Sequence, residues 1–470
     1  MGVEVVVLAA GAGTRMHSAV PKVLHPLGGR PLLAHVLDTA RGLSPSRILV
    51  VVGAQSERVK ACFADCPGLS WVMQESRRGT GHAVGKALPA VSDDATVLVL
   101  FGDAPFTTAD TMTGCIEAAG TGVALACADL SDPYGFGRVL RDGDGHITGI
   151  VEERDATEAE KVITEVNAGI LAASKPVLLD LVTSLRPDNE QGEYYLTDVV
   201  ALAVSRGLAV TGVTAGAEES LGANDRAQLA RLERIHQRRE ASRLMAEGVT
   251  LMDPARIDIR GSLRAGRDCV IDINVVFEGT VTLGDGVHIG PGCVIRDSTL
   301  GDGVSVEPLS SIAGASIAAG CRIGPFARLR PGTELAESVH IGNFVETKEA
   351  SIGAGAKANH LAYLGDASVG EGSNIGAGAV TCNYDGVDKH RTEIGDGVFV
   401  GTNATLVAPL VVEDDAYIGA GSTITTKVGR EDLAVGRGRQ RNIQGWTPPA
   451  KRKRRDQGRV EKRDPDRGKE

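Results

Sequence analysis

The second half of the chain repeats an aliphatic residue every six positions, and this period constrains the fold more than any other feature. The run Leu283, Ile289 and Ile295 keeps the spacing, and glycine often follows the aliphatic residue. Neither an α-helix nor an alternating β-strand produces a six-residue period. The pattern is typical of a hexapeptide solenoid, in which short parallel strands turn at small residues and aliphatic side chains stack inside. It extends over residues 257–428.

The repeat is interrupted between Thr381 and Ile394, which lie 13 positions apart instead of five or six. The intervening residues 382–391 read CNYDGVDKHR, and Asn-Tyr-Asp-Gly is turn chemistry. An insertion in a solenoid becomes a surface loop, often on the binding face. We therefore expect a loop here, which is either a tolerated insertion or part of a site.

Length and composition bound the possible classes of protein. A chain of 470 residues suggests two or three domains. Its 60 glycines and 3% aromatic residues suit a solenoid filled by small aliphatic side chains. No apolar run is long enough to span a membrane, and the sequence does not start with a signal peptide. The eight cysteines lack metal-ligand spacing, which predicts reduced thiols in the cytoplasm.

The charge is divided unevenly along the chain. The last twenty residues contain ten basic and five acidic side chains, so they contribute +5 to a net charge of −10 and leave −15 for the rest. An acidic body argues against nucleic acid as a partner. The run KRKRR at 451–455 resembles a nucleic-acid patch, but we interpret residues 447–470 as a solvated, disordered tail.

The first motif of the chain is a glycine-rich loop. The apolar run 3–8 predicts a buried strand, and the residues AAGAGTRM follow it. Such a loop offers backbone N–H groups to phosphate. Met16 replaces the third glycine of the dinucleotide fingerprint, and the lysine of a P-loop is absent. Arg15 and Lys22 follow closely, and both are candidates to neutralise a polyphosphate. The alternative for Lys22 is an ordinary surface lysine.

Strands and helices alternate through this first half. The apolar runs 47–52 and 96–101 predict further strands, and the second is followed by Gly102-Asp103-Ala104-Pro105. In an open parallel sheet, ligands bind beyond the carboxyl ends of the strands. Asp103 is therefore either a Mg²⁺ ligand beside a nucleoside triphosphate or a cap of the next turn.

Motifs from both halves together resemble those of the bacterial bifunctional N-acetylglucosamine-1-phosphate uridylyltransferase/glucosamine-1-phosphate N-acetyltransferase family. The resemblance covers residues 1–446. It is carried, in order, by LAAGAGTRM, PKVL, GTGHA, GDAP, GEYYLTD, RLRPG, GNFVETK, NHLAYLGD, NIGAG and CNYDG. The first half alone resembles sugar-nucleotide pyrophosphorylases in general, whereas NHLAYLGD and CNYDG are specific to this family.

The resemblance implies an α/β nucleotidyltransferase domain with a Rossmann-like mixed sheet, which transfers uridylyl from UTP to N-acetylglucosamine 1-phosphate. Arg15 and Lys22 match the catalytic cations, and Asp103 and Asn224 match the Mg²⁺ ligands. The remaining matches are contacts of UTP or of the product sugar nucleotide: Leu8, Ala9, Ala10, Gly11, Gln74, Gly79, Thr80, Phe101, Gly102, Gly137, Glu152 and Asn167.

The resemblance also implies that the solenoid is a left-handed parallel β-helix, which transfers acetyl from acetyl-CoA to glucosamine 1-phosphate. His360 matches the general base, a role that suits a side chain titrating near neutrality. We expect backbone N–H groups at Asn383 and Tyr384, in the inserted loop, to stabilise the thioester oxyanion. The sugar-phosphate contacts are matched by Arg330, Lys348, Tyr363 and Asn374, and the other acetyl-CoA contacts by Ala377, Thr402, Ala420 and Arg437.

Three positions depart from the family pattern. Ala12 stands where lysine is common, Ala168 where threonine is common, and Phe101 where tyrosine is common. Phe101 has no hydroxyl, so it cannot donate the hydrogen bond that a tyrosine would. Thr402 replaces a serine and keeps the hydroxyl.

The expected organisation is a uridylyltransferase domain at 1–226, a linker helix at 227–247, an acetyltransferase domain at 248–446 and the tail. The helix is expected because aliphatic residues between 229 and 244 have nearly helical spacing among many charges. We expect a homotrimer with acetyltransferase sites between subunits, because the faces of a hexapeptide prism are sheets that need covering. The product would feed peptidoglycan and lipopolysaccharide precursors.

Two alternatives of different class remain at this point. One is a single-activity sugar-1-phosphate nucleotidyltransferase whose β-helix only oligomerises or regulates. The other is a non-catalytic scaffold, against which the presence of Lys22, Asp103 and Asn224 argues. Turnover of acetyl-CoA by the protein discriminates between the bifunctional enzyme and both alternatives.

Overall fold

A computed structural model describes residues 2–11 and 13–460, without the side chains of residues 455–460. By their contacts the residues group into two compact units, Met1–Phe344 and Val345–Glu470. This division falls inside the hexapeptide repeats and not at the linker helix. The domain boundaries expected from the sequence therefore remain predictions about function and are not contact boundaries.

The first unit begins with alternating strands and helices. Its helices are α1 (Leu32–Gly42), α2 (Ser56–Cys62), α3 (Thr80–Ala87), α4 (Ala109–Ala119), α5 (Glu158–Lys161), α6 (Lys175–Thr183), α7 (Asp198–Ser205) and α8 (Arg226–Ala246). Its first strands are β1 (Val3–Ala9), β2 (Pro26–Leu27), β3 (Arg30–Pro31), β4 (Arg47–Val52), β5 (Leu69–Met73), β6 (Thr96–Phe101), β7 (Val123–Asp129), β8 (Arg138–Arg141), β9 (Ile147–Val151), β10 (Glu165–Ser174) and β11 (Val210–Thr214). The predicted strands at 47–52 and 96–101 are confirmed, and the first strand runs one residue further than predicted.

A mixed sheet carries this region, with the strand order β11-β7-β10-β6-β1-β4-β5. Strand β1 pairs in parallel with β4 and β6, while β10 is antiparallel to β6 and β7. Val5 and Val7 point into the core beneath α1 and α4, and Val6 and Leu8 point into the core beneath α3 and α6. Burial on both faces explains why β1 reads as an unbroken apolar run.

Helix α8 lies within one residue of the helix expected at 227–247, and it packs along the start of the repeat region. Its Gln237 side chain is 3% exposed. The Gln237 amide donates to the Ile259 carbonyl at 2.8 Å and accepts from the Ile259 N–H at 2.7 Å. Arg243 donates to the Leu263 carbonyl at 3.0 Å. The helix is thus bonded to the backbone of the first long solenoid strand.

The hairpin β2–β3 reaches the same junction. Its turn residues Gly28 and Gly29 have φ of +54° and +79°. A Cβ on Gly28 would lie 2.0 Å from the His236 ring, and one on Gly29 would lie 2.6 Å from the Arg260 backbone. Only glycine fits between α8 and the strand beside it, so the turn sequence determines how closely these elements pack.

The repeats of the first unit form parallel sheets. The strands are β12 (Thr250–Leu251), β13 (Ile257–Ala265), β14 (Val270–Ile271), β15 (Val275–Leu283), β16 (His288–Ile289), β17 (Val294–Arg296), β18 (Thr299–Leu300), β19 (Ser305–Val306), β20 (Ser311–Ala313), β21 (Ala315–Ile317), β22 (Arg322–Ile323), β23 (Arg328–Leu329), β24 (Thr333–Leu335) and β25 (His340–Asn343). Successive coils pair in register, as β14 does with β16 and β16 with β19. Leu283, Ile289 and Ile295 are at most 3% exposed, so the six-residue period is the interior of a parallel β-helix, consistent with the left-handed form.

The second unit continues the repeat. Its strands are β26 (Glu346–Ile352), β27 (Lys357–His360), β28 (Tyr363–Val369), β29 (Asn374–Ile375), β30 (Val380–Cys382), β31 (Thr392–Ile394), β32 (Phe399–Val400), β33 (Thr405–Val407), β34 (Leu410–Val412), β35 (Tyr417–Ile418), β36 (Thr423–Ile424) and β37 (Leu433–Ala434). The predicted loop at 382–391 connects β30 to β31. Asp385 holds it by accepting from the N–H groups of Val387 and Asp388, each at 2.8 Å.

The C-terminal segment contains a helix, α9 (Pro449–Val460), where the sequence suggested disorder. The segment has a proline at its start and a run of lysines and arginines, which are good helix formers. Lys451, Arg452, Lys453 and Arg454 are exposed. The rest of the predicted tail, 461–470, and the substituted position Ala12 lie outside the described residues.

Candidate active sites

The glycine-rich loop after β1 closes over Lys22. Gly13 has a φ of +60°, and a Cβ there would lie 2.8 Å from the Lys22 Cβ. Arg15 lies on the short 3₁₀ turn Thr14–Met16 that follows. The Met16 carbonyl accepts a hydrogen bond of 3.2 Å from Arg226, at the start of α8. The loop therefore brings both predicted cations, Arg15 and Lys22, to the carboxyl end of the sheet.

Lys22 joins the two predicted metal ligands. Its ammonium forms an ion pair with Asp103 and donates a hydrogen bond of 3.2 Å to Asn224 Oδ1. The Lys22 and Asp103 side chains are both 15% exposed. Gly222 allows this approach, because a Cβ there would lie 3.3–3.4 Å from the Asp103 carbonyl and carboxylate. Residues about 80 and 120 positions apart thus meet at one cationic centre.

The donor set at this centre fits Mg²⁺. One ammonium reaches both the Asp103 carboxylate and the Asn224 carbonyl oxygen, which shows that the two oxygens are aimed at one cation position. Hard oxygen ligands, few in number and open to substrate phosphates, are what Mg²⁺ takes in nucleotide sites. Asp103 and Asn224 would hold the ion, and the open coordination positions would be left for phosphate oxygens.

A cavity of about 630 Å³ opens beside this centre. The predicted residues that line it are Arg15, Lys22, Thr80, Phe101, Asp103, Gly137, Glu152, Asn167 and Asn224. The Phe101 ring packs over Gly169, where a Cβ would lie 2.8 Å from the ring. The cavity is also lined by Gln191, Tyr195 and Thr197, which the sequence analysis did not single out. All of these belong to one chamber of the first unit.

Glu152 is the buried acid of this cavity. Its Oε1 accepts a hydrogen bond of 2.9 Å from the Thr197 hydroxyl. Burial raises the pKa of Glu152 above its usual range, and the carboxylates of Asp198 and Asp155 raise it further, against the Thr197 hydrogen bond. A carboxyl group held here is a strong acceptor for ligand hydroxyl groups, and its ionised form is costly to keep buried.

We expect Glu152→Gln to stabilise the N-terminal region. Because the folded-state pKa is raised, the Glu152 carboxylate costs stability at pH values above that pKa, and this cost disappears below the unfolded value of about 4.3, where both states are neutral. The glutamine keeps the acceptor for Thr197. The unfolding free energy should rise by about 0.5–2 kcal/mol at neutral pH.

The gain should fall to near zero at acidic pH. Urea unfolding followed by Trp71 fluorescence, in a Trp446→Phe background, measures it across pH. Glu165→Gln is a matched control, because the Glu165 pKa is lowered by its Arg141 partner and that substitution should destabilise instead. A pH-independent effect of Glu152→Gln would contradict the assignment.

The other predicted nucleotide contacts surround the end of β1 and do not line the chamber. The Gly102 N–H donates to the Leu8 carbonyl at 3.0 Å, and Gln74 follows β5 directly. The Gln74 amide nitrogen donates to the Gly79 carbonyl at 3.1 Å. Leu8 to Gly11, Gln74 and Gly79 therefore lie along the carboxyl-end edge formed by β1, its neighbour β4 and the next strand β5.

In the second unit, the predicted acetyl-transfer residues occupy one corner of successive coils. The Gly378 N–H donates to the His360 carbonyl at 3.4 Å, the Asn403 N–H to the Ala377 carbonyl at 2.7 Å, and the Gly421 N–H to the Thr402 carbonyl at 2.8 Å. These bonds align His360, Ala377, Thr402 and Ala420 from coil to coil. The Arg437 guanidinium then donates to the Ala420 carbonyl at 2.7 Å.

A second cluster gathers around Lys348. Lys348 pairs in register with Gly365 on the neighbouring strand. A Cβ on Gly365 would lie 2.3 Å from the Tyr363 hydroxyl, so the Tyr363 side chain lies over Gly365 and Tyr363 and Lys348 are neighbours. The Lys348 side chain also lies beside Lys389 of the inserted loop, and this neighbouring amine lowers the pKa of Lys389. The Asp366 carboxylate opposes this effect and raises the pKa of Lys389. Two ammonium groups held side by side suit a dianionic phosphate.

The inserted loop is tied to this cluster. The Asn383 amide donates to the Asp366 carboxylate, and Asn383 is 9% exposed. The loop closes through bonds from the His390 N–H to the Asn383 carbonyl and from the Asp385 N–H to the Asp388 carbonyl. That closure does not use the N–H of Tyr384. The interruption of the repeat is therefore a shaped loop with a cation directed at Lys348.

The remaining predicted residues are placed as follows. Asn374 is on β29, in register with Lys357 and Phe399. Arg330 belongs to the first unit, directly after β23, and its carbonyl accepts a hydrogen bond of 2.7 Å from Thr333. Lys389 was missed in the sequence analysis, whereas Asp366 and Thr197 stand in the quoted motifs NHLAYLGD and GEYYLTD but were given no role. The run Lys389-His390-Arg391 in the inserted loop was the available signal for Lys389.

Comparison with known proteins distinguishes a nucleotidyltransferase region from a region of hexapeptide repeats. A model of the MobA-like NTP transferase domain matches residues 5–249, one of the GMPPB C-terminal domain matches 259–352, and one of the bacterial transferase hexapeptide (six repeats) matches 391–426. Three relatives, all called "Bifunctional protein GlmU", are similar over nearly the full length. That of Marinobacter nauticus is 53% identical over 450 residues, covering 95% of this chain and 99% of the relative.

The relative from Alkalilimnicola ehrlichii is 54% identical over 456 residues, covering 97% of this chain and 98% of its own. The relative from Ralstonia nicotianae is 53% identical over 453 residues, covering 96% and 99%. Identity at this level over both halves includes the nucleotidyltransferase region as well as the hexapeptide repeats. The chain belongs to the family of the bifunctional GlmU proteins.

Proposed function

We propose that the Lys22–Asp103–Asn224 centre and the corner at His360 are the sites of two consecutive transfers. The enzyme makes UDP-N-acetylglucosamine: the repeat region transfers acetyl from acetyl-CoA to glucosamine 1-phosphate, and the N-terminal region transfers uridylyl from UTP to the N-acetylglucosamine 1-phosphate. The observation that carries the assignment is the presence, in one chain of this family, of both the Lys22–Asp103–Asn224 centre and the aligned corner at His360. The product feeds peptidoglycan and lipopolysaccharide synthesis.

In uridylyl transfer, a phosphate oxygen of the sugar phosphate attacks the α-phosphorus of UTP, and pyrophosphate leaves. Arg15 and Lys22 bind the triphosphate and neutralise charge as the leaving group departs. Asp103 and Asn224 would hold Mg²⁺, which would supply further neutralisation of the phosphate oxygens. With two phosphates drawn into one chamber, positioning and charge neutralisation account for the catalysis.

Residues at the edge of the sheet and in the chamber position the substrates. The glycine-rich loop offers backbone N–H groups, Gln74 and Gly79 contact the base, and Thr80 and Gly102 complete the nucleotide site. Gly137, Glu152 and Asn167 contact the sugar. Phe101 contributes an apolar wall packed on Gly169 and no hydrogen bond.

In acetyl transfer, the ammonium of glucosamine 1-phosphate must lose a proton before its nitrogen can attack. His360 takes this proton, the amine attacks the thioester carbonyl, and the coenzyme leaves as a thiolate that is then protonated. The backbone N–H groups of Asn383 and Tyr384 stabilise the oxyanion. Lys348 and Lys389 bind the phosphate, and the family resemblance predicts Arg330 as a further phosphate contact.

The residues aligned at the corner of the coils also bind acetyl-CoA. Ala377, Thr402 and Ala420 present small side chains and backbone to acetyl-CoA, and Arg437 binds its phosphates. Tyr363 and Asn374 contact the amino sugar.

One assay separates the alternatives. The protein is supplied with glucosamine 1-phosphate, acetyl-CoA, UTP and Mg²⁺, and the products are identified by mass. UDP-N-acetylglucosamine is the expected product. If product forms only from N-acetylglucosamine 1-phosphate, the solenoid has no acetyltransferase activity; if it forms from neither sugar, the chain is a scaffold.

The active protein, in our proposal, is a homotrimer with each acetyltransferase site shared between subunits. In the first unit, Leu309, Phe326 and Phe344 form an apolar stripe on the coils, being 55%, 46% and 54% exposed. The Phe326 and Phe344 rings stack at 5.2 Å between centroids. A stripe of large apolar side chains, repeated at the same place in successive coils, is the type of surface that subunits cover.

Phe326→Glu is expected to dissociate the trimer, because a charge in the middle of the stripe cannot be buried without a partner. The molar mass of the full-length protein by light scattering should fall towards that of one chain, with loss of acetyl transfer and retention of uridylyl transfer. Val162→Glu is the control, since Val162 is 75% exposed in the N-terminal region. A Phe326→Glu protein that keeps the mass of three chains would rule the stripe out as the interface.

We place the enzyme in the cytoplasm, where UTP and acetyl-CoA are made, and expect neither nucleic acid nor membrane as partner. All eight cysteines are free thiols, which agrees with a reducing compartment. Within 2–11 and 13–460 no helix combines the length and apolar character needed to cross a bilayer.

A further inference from the structure

The Gln74 side chain is held in one orientation by two neighbours. It is 4% exposed at the end of β5. Its amide nitrogen donates to the Gly79 carbonyl at 3.1 Å and contacts His82 Nδ1 at 2.9 Å. A primary amide has two N–H groups, so both are used inside the protein. Its carbonyl oxygen accepts no hydrogen bond from the described part of the chain.

The Gly79 carbonyl determines which way the amide faces. A backbone carbonyl is only an acceptor, so the atom of Gln74 that lies against it must be the nitrogen. The same nitrogen then presents its second N–H to His82, and Nδ1 of His82 must accept it. His82 is therefore neutral, with its proton on Nε2.

The charged groups around His82 favour this state. Burial lowers the pKa of His82, and the cations of Lys86, on its own helix α3, and of Arg78, on the preceding loop, lower it further. Glu75, on that loop, opposes them. The imidazole therefore remains a neutral acceptor through neutral pH.

The orientation has a consequence for base recognition. An amide with both N–H groups occupied offers a base only its oxygen, which is an acceptor. Uracil has an N–H donor at position 3, whereas cytosine has an unprotonated acceptor nitrogen there. An acceptor facing that position bonds to uracil and repels cytosine.

We propose that His82 is a positioning residue for base selection, which holds the Gln74 carbonyl towards the base and so favours UTP over CTP. The proposal rests on the proposed contact of Gln74 with the nucleotide base. His82 acts through Gln74 and does not itself touch the substrate. Protonation of His82 would turn Nδ1 into a donor facing the Gln74 N–H, and would release the amide.

The test is the ratio of kcat/KM for UTP to that for CTP in full-length His82→Ala, His82→Asn and Gln74→Ala proteins. We expect His82→Ala to lower the ratio by about 10- to 100-fold, the range of one lost recognition contact. KM for UTP should carry most of the change, because Lys22 and Asp103 are intact. His82→Asn supplies an acceptor oxygen near the same place and should restore part of the ratio.

His146→Ala is the matched control, since His146 is exposed in the turn between β8 and β9. In the wild type, the ratio should fall as pH drops through the His82 pKa, whereas in His82→Ala it should not vary over that range. Nitrogen-15 NMR of histidine-labelled protein should show the Nε2–H form of His82 at neutral pH.

The Gln74→Ala and His82→Ala proteins distinguish failure of the base contact from failure of the proposed role of His82. If Gln74→Ala leaves the ratio unchanged, the proposed base contact of Gln74 fails and this inference fails with it. If Gln74→Ala lowers the ratio and His82→Ala does not, the base contact stands and the role of His82 is overturned. Protonated Nδ1 in the wild type at neutral pH would also overturn it.

Discussion

His360→Ala should lower kcat for acetyl transfer by roughly 10²–10⁴, the usual contribution of one general base. That loss corresponds to about 2.7–5.4 kcal/mol of transition-state stabilisation. It should shrink as pH rises, because the free amine of the substrate then forms without help. Binding of both substrates should be nearly unchanged, since Lys348, Arg330 and Arg437 are intact.

His288→Ala is the matched control, because His288 is also an exposed solenoid histidine, on β16. Uridylyl transfer should be the same in both variants. If His360→Ala acetylates at near wild-type kcat at neutral pH, His360 is a structural residue of the corner. The base would then be sought at Glu346, Tyr363 or a bound water.

Asp103→Ala and Asn224→Ala should lower uridylyl transfer by orders of magnitude and leave acetyl transfer near the wild-type rate. Each substitution removes one of the two oxygens that converge on the Lys22 ammonium, and so removes half of the proposed Mg²⁺ site. Binding of Mn²⁺, followed by its paramagnetic resonance signal, should weaken in parallel. This readout is independent of turnover.

Asp110→Ala is the control for these variants, since Asp110 is an exposed carboxylate in the first turn of α4. Equal loss of both activities in Asp103→Ala would indicate unfolding or one composite site, and the two-site assignment would be abandoned. Unchanged Mn²⁺ affinity would move the metal to other ligands.

Local patterns were sufficient to predict much of the fold. The six-residue period reports interior positions directly, because one aliphatic side chain per strand faces inward; Ile312, Ile323 and Val400 are at most 1% exposed. The helix at 226–246 and the loop at 382–391 were likewise visible, since helical spacing and a broken period are properties of neighbouring residues. The strands at 47–52 and 96–101 had continuous apolar runs.

The contacts within the sites could not be predicted from the sequence to the same extent. That Lys389 approaches Lys348, that Thr197 bonds to Glu152, and that His82 holds Gln74 all depend on contacts between separate elements. Family motifs indicated which residues cluster, and the structure adds which atoms meet. The expected domain boundary at 247 stays a prediction; the contact division falls at Phe344, and the Gln237 amide bonds to Ile259 across position 247.

The Gln237 side chain also covers part of the open edge of the solenoid. Strand β13 belongs to the first full coil, and the open backbone edge of a terminal coil is a template on which another chain can add a strand. Gln237 reproduces with its side chain the donor and acceptor of one residue of a neighbouring strand, and Arg243 blocks a second carbonyl at Leu263. The helix thereby acts as an end cap, which protects the solenoid from end-to-end stacking. A β-helix cut free of residues 226–246 would lose this protection against polymerisation.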